Sequence, residues 1–534
     1  MRTKTLVFIL VALLQVLSAK AQTTCHFVVE SGEWEVSANW LGGIMPGPDD
    51  IAYIDSSCYI STNNVVVKKL IVGHEAVFII MPLGGGIVVT GNISNYGILS
   101  VSTYSWSGGK DGALISATLS GTGLYSLRRY FYPSRYSLIS SPVPNATASI
   151  FSHLYDGMIL LNAYLLPYNE ATNAYGDFIV NPATSLPVGQ GFLAKIESSG
   201  PTCVDFDGMF NNGPIGPLNL SLTGSPSDTT GWNLIGNPYP SPIDWNAANG
   251  WTKNNVGSTI YIWNNSQYAS WNGSAGVNGG SRYITVAQGF FVQAIASGAS
   301  ISMDNRVRTV TPTLFLKESK NEIHYITLSV SGNNYSDEHK IAIKDNASAT
   351  FDNQFDAYKR YGIPEAPQLY TYKGTAKTSI NSVDSLSKLL GKDIYLEVGK
   401  DTVYTLSYTY DSTLINLPRI LDKQTQNIIN PNTQYTFTET PQDNKDRFVF
   451  ITSVASGINN GNNKLSEVLL YEINNILNVF TDENLISVNL YSLQGTLVLQ
   501  GNSKTTDLNT LSKGIYMVRV ITDKQMKTKK ILIK

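Results

Sequence analysis

The sequence predicts an all-β, multi-domain chain, and three observations carry that prediction. The first is composition: 30 Tyr, 44 Gly and 22 Pro supply strand formers and turn formers together. The second is alternation: runs such as Tyr325–Val330, Ile394–Val398 and Tyr404–Tyr408 place apolar residues at every second position, the period of a half-buried strand. The third is punctuation, because Gly, Asn and Pro interrupt these runs every few residues. A length of 534 residues implies roughly three to five domains at about 100–200 residues each. Hydrophobic residues make up 43% and charged residues 15%, which suits buried cores and excludes a disordered chain. The net charge of −2 leaves no overall basic footprint for nucleic acid. Three Cys and five His exclude a disulfide-dense or multi-metal protein, and no cofactor is expected.

Residues 1–21 read as a signal peptide. Arg2 and Lys4 form the basic start, Leu6–Leu17 the apolar stretch, and Ala19-Lys20-Ala21 the small-residue cleavage pattern, so the mature chain is expected to start at Gln22. The apolar stretch is about 12 residues, whereas a spanning helix needs about 20. Cys25 follows Thr23-Thr24, so no lipid-accepting Cys sits at the cleavage point. Export permits disulfides, and Cys25 and Cys58 flank the opening of the first domain, where they are placed to pair. Cys203 reads as a small core residue.

Residues 22–125 are expected to form a short β-solenoid with an N-terminal cap. Trp34, Trp40 and Pro46 can cover the first coil, which otherwise exposes a sheet edge. Brief β-branched runs follow (Val65–Val72, Ala76–Met81, Gly86–Thr90, Ile98–Val101), split by Gly73, Gly84-Gly85-Gly86, Gly91-Asn92 and Asn95-Tyr96-Gly97. The arrangement resembles the cap and first coils of secreted bacterial parallel β-helices. It has too few coils for a long catalytic cleft.

Residues 126–310 contain a repeat. Tyr136-Ser-Leu-Ile-Ser-Ser-Pro-Val-Pro144 aligns with Trp232-Asn-Leu-Ile-Gly-Asn-Pro-Tyr-Pro240, and Leu186-Pro-Val-Gly-Gln-Gly-Phe-Leu193 aligns with Ile284-Thr-Val-Ala-Gln-Gly-Phe-Phe291. Each unit opens with an aromatic-x-Leu-Ile strand that stops at a Pro-x-Pro turn, and closes with a Gln-Gly-aromatic strand. Two β-rich units are therefore expected, packed together. Gly231–Trp245 resembles a segment common in large secreted proteins of the Bacteroidetes.

Residues 311–455 are expected to form a β-sandwich, with a helical turn near Asp384–Leu390. Phe351-Asp-Asn-Gln-Phe-Asp-Ala-Tyr-Lys359 resembles a segment of a β-sandwich that precedes the sorting domain in many Bacteroidetes cargo proteins. Residues 456–465, rich in Gly and Asn, are a linker by composition. Residues 466–534 read as an Ig-like sandwich of some seven strands, with Leu493-Gln-Gly495 as a hairpin turn.

This last domain resembles the type A sorting domain of the type IX secretion system. The resemblance rests on Val488-Asn-Leu-Tyr-Ser-Leu-Gln-Gly495, on Asp507-Leu508, Leu511 and Gly514-Ile-Tyr516-Met-Val518-Arg-Val520, and on the basic end Lys529-Lys530-Ile-Leu-Ile-Lys534. Gly514 permits a tight turn, while Tyr516, Val518 and Val520 share one strand face. The terminal Lys residues are expected to be exposed donors for an acidic receptor surface. The resemblance implies recognition by the outer-membrane translocon, removal of the domain by a sortase, and release or linkage to surface lipopolysaccharide. Asp228-Thr-Thr, Asp384-Ser-Leu, Asp401-Thr-Val and Asp411-Ser-Thr resemble O-glycosylation tripeptides of the same phylum.

No catalytic motif stands out: GxSxG, HExxH, the P-loop and the dinucleotide fingerprint are all missing from the sequence. His74 beside Glu75 reads as a turn histidine, and Asp49-Asp50 as a turn pair rather than a calcium site. Trp263, Tyr268 and Trp271 lie among Asn, Ser and Gly, and flat rings with amide neighbours suit stacking on sugars. The expectation is a non-enzymatic secreted or surface-attached protein with an adhesion or matrix role, contacting extracellular polysaccharide. The alternative is a carbohydrate-binding or carbohydrate-degrading protein with its site in 126–310. A subunit of a surface filament is a third class, which requires exposed sheet edges.

Overall fold

The structure, a computed structural model, describes residues 22–82, 84–103, 111–154, 163–310, 323–451, 468–473, 476–481 and 483–533. The expected leader, Trp106, the linker and Lys534 lie outside the described residues. The described chain is all-β, with short 3-10 turns as its only helical pieces. Among the described residues no helix is long and apolar enough to cross a membrane. Two compact units emerge: Met1–Asn265 with Gly280–Lys317, and Ser266–Gly279 with Glu318–Lys534.

The first unit begins with two sheets built mainly of parallel strands. Thr24–Phe27, Ile51–Ile54, Lys69–Val72, Gly86–Asn95 and Ala113–Ser120 pair in that order, and Val65–Val67 also pairs with Gly86–Asn95. Ser31–Glu33, Ser57–Ile60, Val77–Ile80, Ile98–Ser102 and Leu124–Phe131 run parallel in the other sheet, to which Thr202–Asp207 adds an antiparallel edge strand. The chain thus visits the two sheets in turn, and equivalent positions stack as ladders. Cys25, Ala52, Leu70 and Ile93 form one ladder, and Cys58, Phe78, Leu99 and Tyr125 form another. All eight are buried in one core, because alternation turns every second side chain inward. Trp34 and Trp40 close its start, with rings 4.7 Å apart and the Trp40 indole donating to the Trp34 carbonyl at 2.8 Å.

The pairing of Cys25 with Cys58 is not made, and no disulfide joins them. Cys25 belongs to one sheet and Cys58 to the next strand level of the other. Packed sheets lie about 10 Å apart, whereas a disulfide wants Cα atoms within about 7 Å. Burial pushes the Cys58 thiol pKa up, and the nearby Glu35 charge adds to it.

The sequence repeat is a structural repeat. Tyr136–Ser140 pairs with Gly191–Ile196, which pairs with Ala163–Leu166. Trp232–Gly236 pairs with Gly289–Gln293, which pairs with Ile260–Trp263. Strand order and direction are the same in both. The repeats exchange equivalent contacts: Ile139 bridges Gln288, and Gln190 bridges Ile235. The Ser140 N–H donates to the Ala287 carbonyl at 3.1 Å, and the Gly236 N–H to that of Gly189 at 2.9 Å. Reciprocal exchange of this kind defines a pseudo-two-fold relation. The Gln-Gly-aromatic motif follows from it. A Cβ on Gly191 would lie 2.5 Å from the Ile235 carbonyl oxygen, and one on Gly289 would lie 2.9 Å from that of Ile139. The Pro turns are also alike: Ser141 Oγ accepts from the Val143 N–H, and Asn237 Oδ1 from that of Tyr239.

In the second unit the strands of residues 323–451 hydrogen-bond into one eleven-stranded sheet that curls nearly closed. Arg447 ties its ends together, pairing with Asp422 near one end and with Glu439 on the strand at the other. The expected helical turn is the 3-10 turn Leu386–Leu389. Inside the curl lies a buried polar layer. Lys359 pairs with Asp337, and Lys373 Nζ lies 2.9 Å from Asp356 Oδ2. The Phe351–Lys359 segment therefore supplies one member of each pair, Asp356 and Lys359. Phe351 stacks on Tyr358 at 3.8 Å, and the Asp352 carbonyl accepts the Asp356 N–H at 2.8 Å. The hairpin of Tyr268–Trp271 and Gly276–Val277 belongs to this unit. Its Asn278 amide donates to Asp337 at 2.9 Å, and Lys340 donates to the Gly276 carbonyl at 2.7 Å.

The C-terminal domain has two sheets. Leu469–Ile473, Ile476–Phe480 and Thr505–Asp507 form one; Leu497–Gly501, Leu485–Ser492, Gly514–Thr522 and Met526–Ile533 form the other. Val488, Leu490, Val518 and Val520 fill the core between them.

Candidate functional site

The first unit holds a polar pocket of about 170 Å³, and the repeat explains its position. Tyr136, Ser137 and Leu138 of the first repeat line one side, and Gln288 with Trp263 and Asn265 of the second line the other. Arg129, Tyr130, Tyr132 and Arg135, from the end of the preceding sheet strand and its turn, complete the wall. Gln288 is fixed there, its amide donating to the Leu138 and Gly289 carbonyls at 2.8 Å each.

The electrostatics are cationic and the surfaces aromatic. Arg129 donates Nη1 to the Val286 carbonyl at 3.1 Å, while its Nε is buried without a hydrogen-bond partner. Burial pulls its pKa below the usual arginine value, opposed by the Asp111 charge, and the guanidinium keeps its charge regardless. Arg135 lies 4.9 Å over the Tyr132 ring, and Lys195 lies 5.2 Å over that of Tyr136. Tyr136 is 40% exposed. Such a site can hold a sugar ring against an aromatic face and accept an anionic group at the guanidinium.

Of the three aromatics expected to contact a ligand, Trp263 lines this pocket. Tyr268 and Trp271 are assigned to the second unit, where the Arg360 guanidinium lies 4.9 Å over the Tyr268 ring. Arg129 and Arg135 were not singled out from the sequence. Their signal is the basic–aromatic run Arg128-Arg-Tyr-Phe-Tyr-Pro-Ser-Arg-Tyr136. His74 is an exposed turn residue stacked on Tyr96 at 5.2 Å. Asp50 accepts the Thr23 and Gly47 N–H groups at 3.0 and 2.9 Å, the work of a turn residue. Among the described residues no group of three or more His, Cys, Asp and Glu is placed to hold a metal.

The sorting residues divide by role. Gly495 sits at φ 84° in the hairpin turn after Leu485–Ser492, a conformation that favours glycine. Gly514 opens its strand at φ 157°. Val518 is fully buried, and Tyr516 packs against the same core and donates its hydroxyl to the Ser512 carbonyl at 2.9 Å. Lys530 is exposed, but Lys529 is not the exposed donor expected. It points inward, half-buried, and donates to the Leu470 carbonyl at 2.6 Å. Along Met526–Ile533 odd-numbered residues face the core, so adjacent lysines face opposite ways.

The C-terminal domain, two small β-sheets with glycine turns, identifies the chain through its family match as an exported cargo of the type IX secretion system, of the kind typical of Bacteroidetes. The family model described as "Secretion system C-terminal sorting domain" matches residues 473–534. The chain belongs to the family described as "Domain of unknown function (DUF8693)", whose model matches residues 28–451. No curated protein matches the chain.

Proposed function

We propose that this cargo is a non-enzymatic adhesion or matrix protein that contacts extracellular polysaccharide through the pocket at the repeat junction. The observation that carries this reading is the meeting of Trp263 with Arg129 and Arg135 in one polar pocket. Aromatic faces and a buried, unspent guanidinium donor are groups that bind a polymer without cleaving it. In this reading the signal peptide takes the chain across the inner membrane. The sorting domain then brings it to the translocon and sortase, and the remainder is released or linked to surface lipopolysaccharide. Binding to a carbohydrate without a matrix role is the second reading, and the same pocket favours it.

The test has two parts. Mass spectrometry of the termini in fractionated native cells should find a mature form starting at Gln22 and lacking the residues after about 465, outside the cell. The purified chain should be retained on an immobilised acidic polysaccharide and not on a neutral one, and Trp263→Ala with Arg135→Ala should abolish retention. Retention unchanged in that variant rejects the pocket. Steady cleavage of the polymer rejects the non-enzymatic reading.

A further inference from the structure

The second unit contains a separate cleft that the reading above does not use. It has a volume of about 180 Å³ and opens beside the 3-10 turn Leu386–Leu389. Thr371, Lys373 and Asn381 lie at its base, exposed by 3%, 6% and 7%. Tyr372, Val383, Leu389 and Phe450 contribute its apolar walls, and Lys388, Lys392 and Asp384 stand on its rim.

The base is incomplete. Asn381 donates Nδ2 to Thr371 Oγ1 at 2.8 Å, while its Oδ1 is buried with no hydrogen-bond partner. Turning the amide over exchanges the two ends and still leaves one unpaired. Folded proteins seldom leave such an atom unless another molecule completes it. Lys373 cannot do so, because its amine is committed to Asp356, to Ser382 Oγ at 2.8 Å and to the Ser382 carbonyl at 2.7 Å. On the rim, Lys388 and Lys392 are exposed and have no ion-pair partner among the described residues.

These features specify a ligand by complementarity. The rim offers two cations, the base wants one more hydrogen-bonding group at the Asn381 amide, and the walls are apolar. The volume is below the roughly 300–1,000 Å³ of drug-sized sites, so it suits one ring. We propose that this cleft binds a single uronic-acid unit, its carboxylate at Lys388 and Lys392 and a ring hydroxyl hydrogen-bonded to the unpaired end of the Asn381 amide.

Calorimetric titration of the purified full-length chain tests this with four probes: galacturonate, galactose, cyclohexanecarboxylate and a short oligogalacturonide. Galacturonate should bind at least about tenfold more tightly than galactose, which lacks the carboxylate, and than cyclohexanecarboxylate, which lacks the hydroxyls. Tighter binding of the oligomer than of the monomer makes a polymer end the source, and equal binding makes it the free acid; either supports the site. Lys388→Ala with Lys392→Ala, both on the surface, should weaken galacturonate binding about tenfold or more, and Asn381→Leu should abolish it. No binding of galacturonate, equal binding of galactose, or binding that survives the double lysine variant overturns the proposal. All of these titrations are made in the Arg135→Ala and Trp263→Ala background, where the first pocket no longer takes an anionic sugar, so that failure here is separate from failure of the first pocket.

Discussion

Ser140 and Gly236 occupy equivalent positions in the two repeats and meet at the pseudo-two-fold junction. A Cβ on Gly236 would fall 2.0 Å from that of Ser140. One of the pair must lack a side chain, so the repeat cannot be perfect where it touches itself. Gly236→Ser should destabilise the first unit by about 1–3 kcal/mol or more through overpacking. Adding Ser140→Gly should restore most of that loss, since it only moves the side chain across the junction. Denaturant unfolding of the single and double variants checks both expectations.

Gly189 and Ala287 are likewise equivalent, and both adopt positive φ, 78° and 51°. Alanine pays for that conformation where glycine does not. Ala287→Gly should leave stability unchanged or raise it by up to about 1 kcal/mol, in a region where most substitutions lower it. A fall of more than that in the unfolding free energy would show that the buried methyl outweighs the backbone strain.

His339 is fully buried in the polar layer of the second unit, and burial with the neighbouring Lys359 charge pushes its pKa down to about 3. Its folded pKa lies below its unfolded value. Above about pH 6.5 both states are neutral and the group contributes nothing. As pH falls from there toward about 3, the unfolded chain takes up a proton that the folded chain refuses, and stability is lost, by on the order of 5 kcal/mol in full. His339→Gln should flatten the stability–pH curve in that window. Unfolding measured at pH 7, 5 and 4 decides it.

Lys359 and Asp337 pair with both side chains buried. Lys359→Met leaves a carboxylate buried without its counter-charge and should cost about 3–5 kcal/mol. Adding Asp337→Asn removes the charge but keeps an acceptor for the Leu369 N–H, and should recover much of the loss. A double variant no better than the single one would mean that the amine does more than neutralise Asp337.

Lys529 and Lys530 should separate in effect. Lys529→Met leaves the Leu470 carbonyl without its donor and should cost about 1–3 kcal/mol in the C-terminal domain. Lys530→Ala should stay within about 0.5 kcal/mol. Hydrogen exchange at the Leu469–Ile473 strand of the full chain reads the difference.

What the sequence made legible was local. The repeat could be seen because its turns demand the same Pro, Gly and Gln twice, at positions where the backbones nearly touch. Trp34 and Trp40 were readable as core residues because bulky rings near the first strands have little else to do than pack together. The rest depended on partners distant in the chain. Asp337, Asp356, Lys359 and Lys373 look like solvated charges until the sheet curls and pairs them inside. Cys25 and Cys58 looked adjacent because sequence does not show that consecutive strands go to different sheets. Lys529 and Lys530 look alike because side-chain parity is fixed by the strand they join. Arg129 gained meaning only once the second repeat, more than a hundred residues on, closed the pocket over it.

The hairpin of residues 266–279 has a consequence for how the chain comes to be folded. It is flanked on both sides by sequence of the first unit, yet the side chains that bond to its Gly276 and Asn278, those of Lys340 and Asp337, are encoded downstream of residue 323. A gene fragment cut at any single point between the two would strand it. Emerging from its N-terminus, the chain must hold this segment in reserve until a later stretch is delivered, a long-range closure of the kind that slows folding. Nor can recombination exchange either unit as a contiguous cassette.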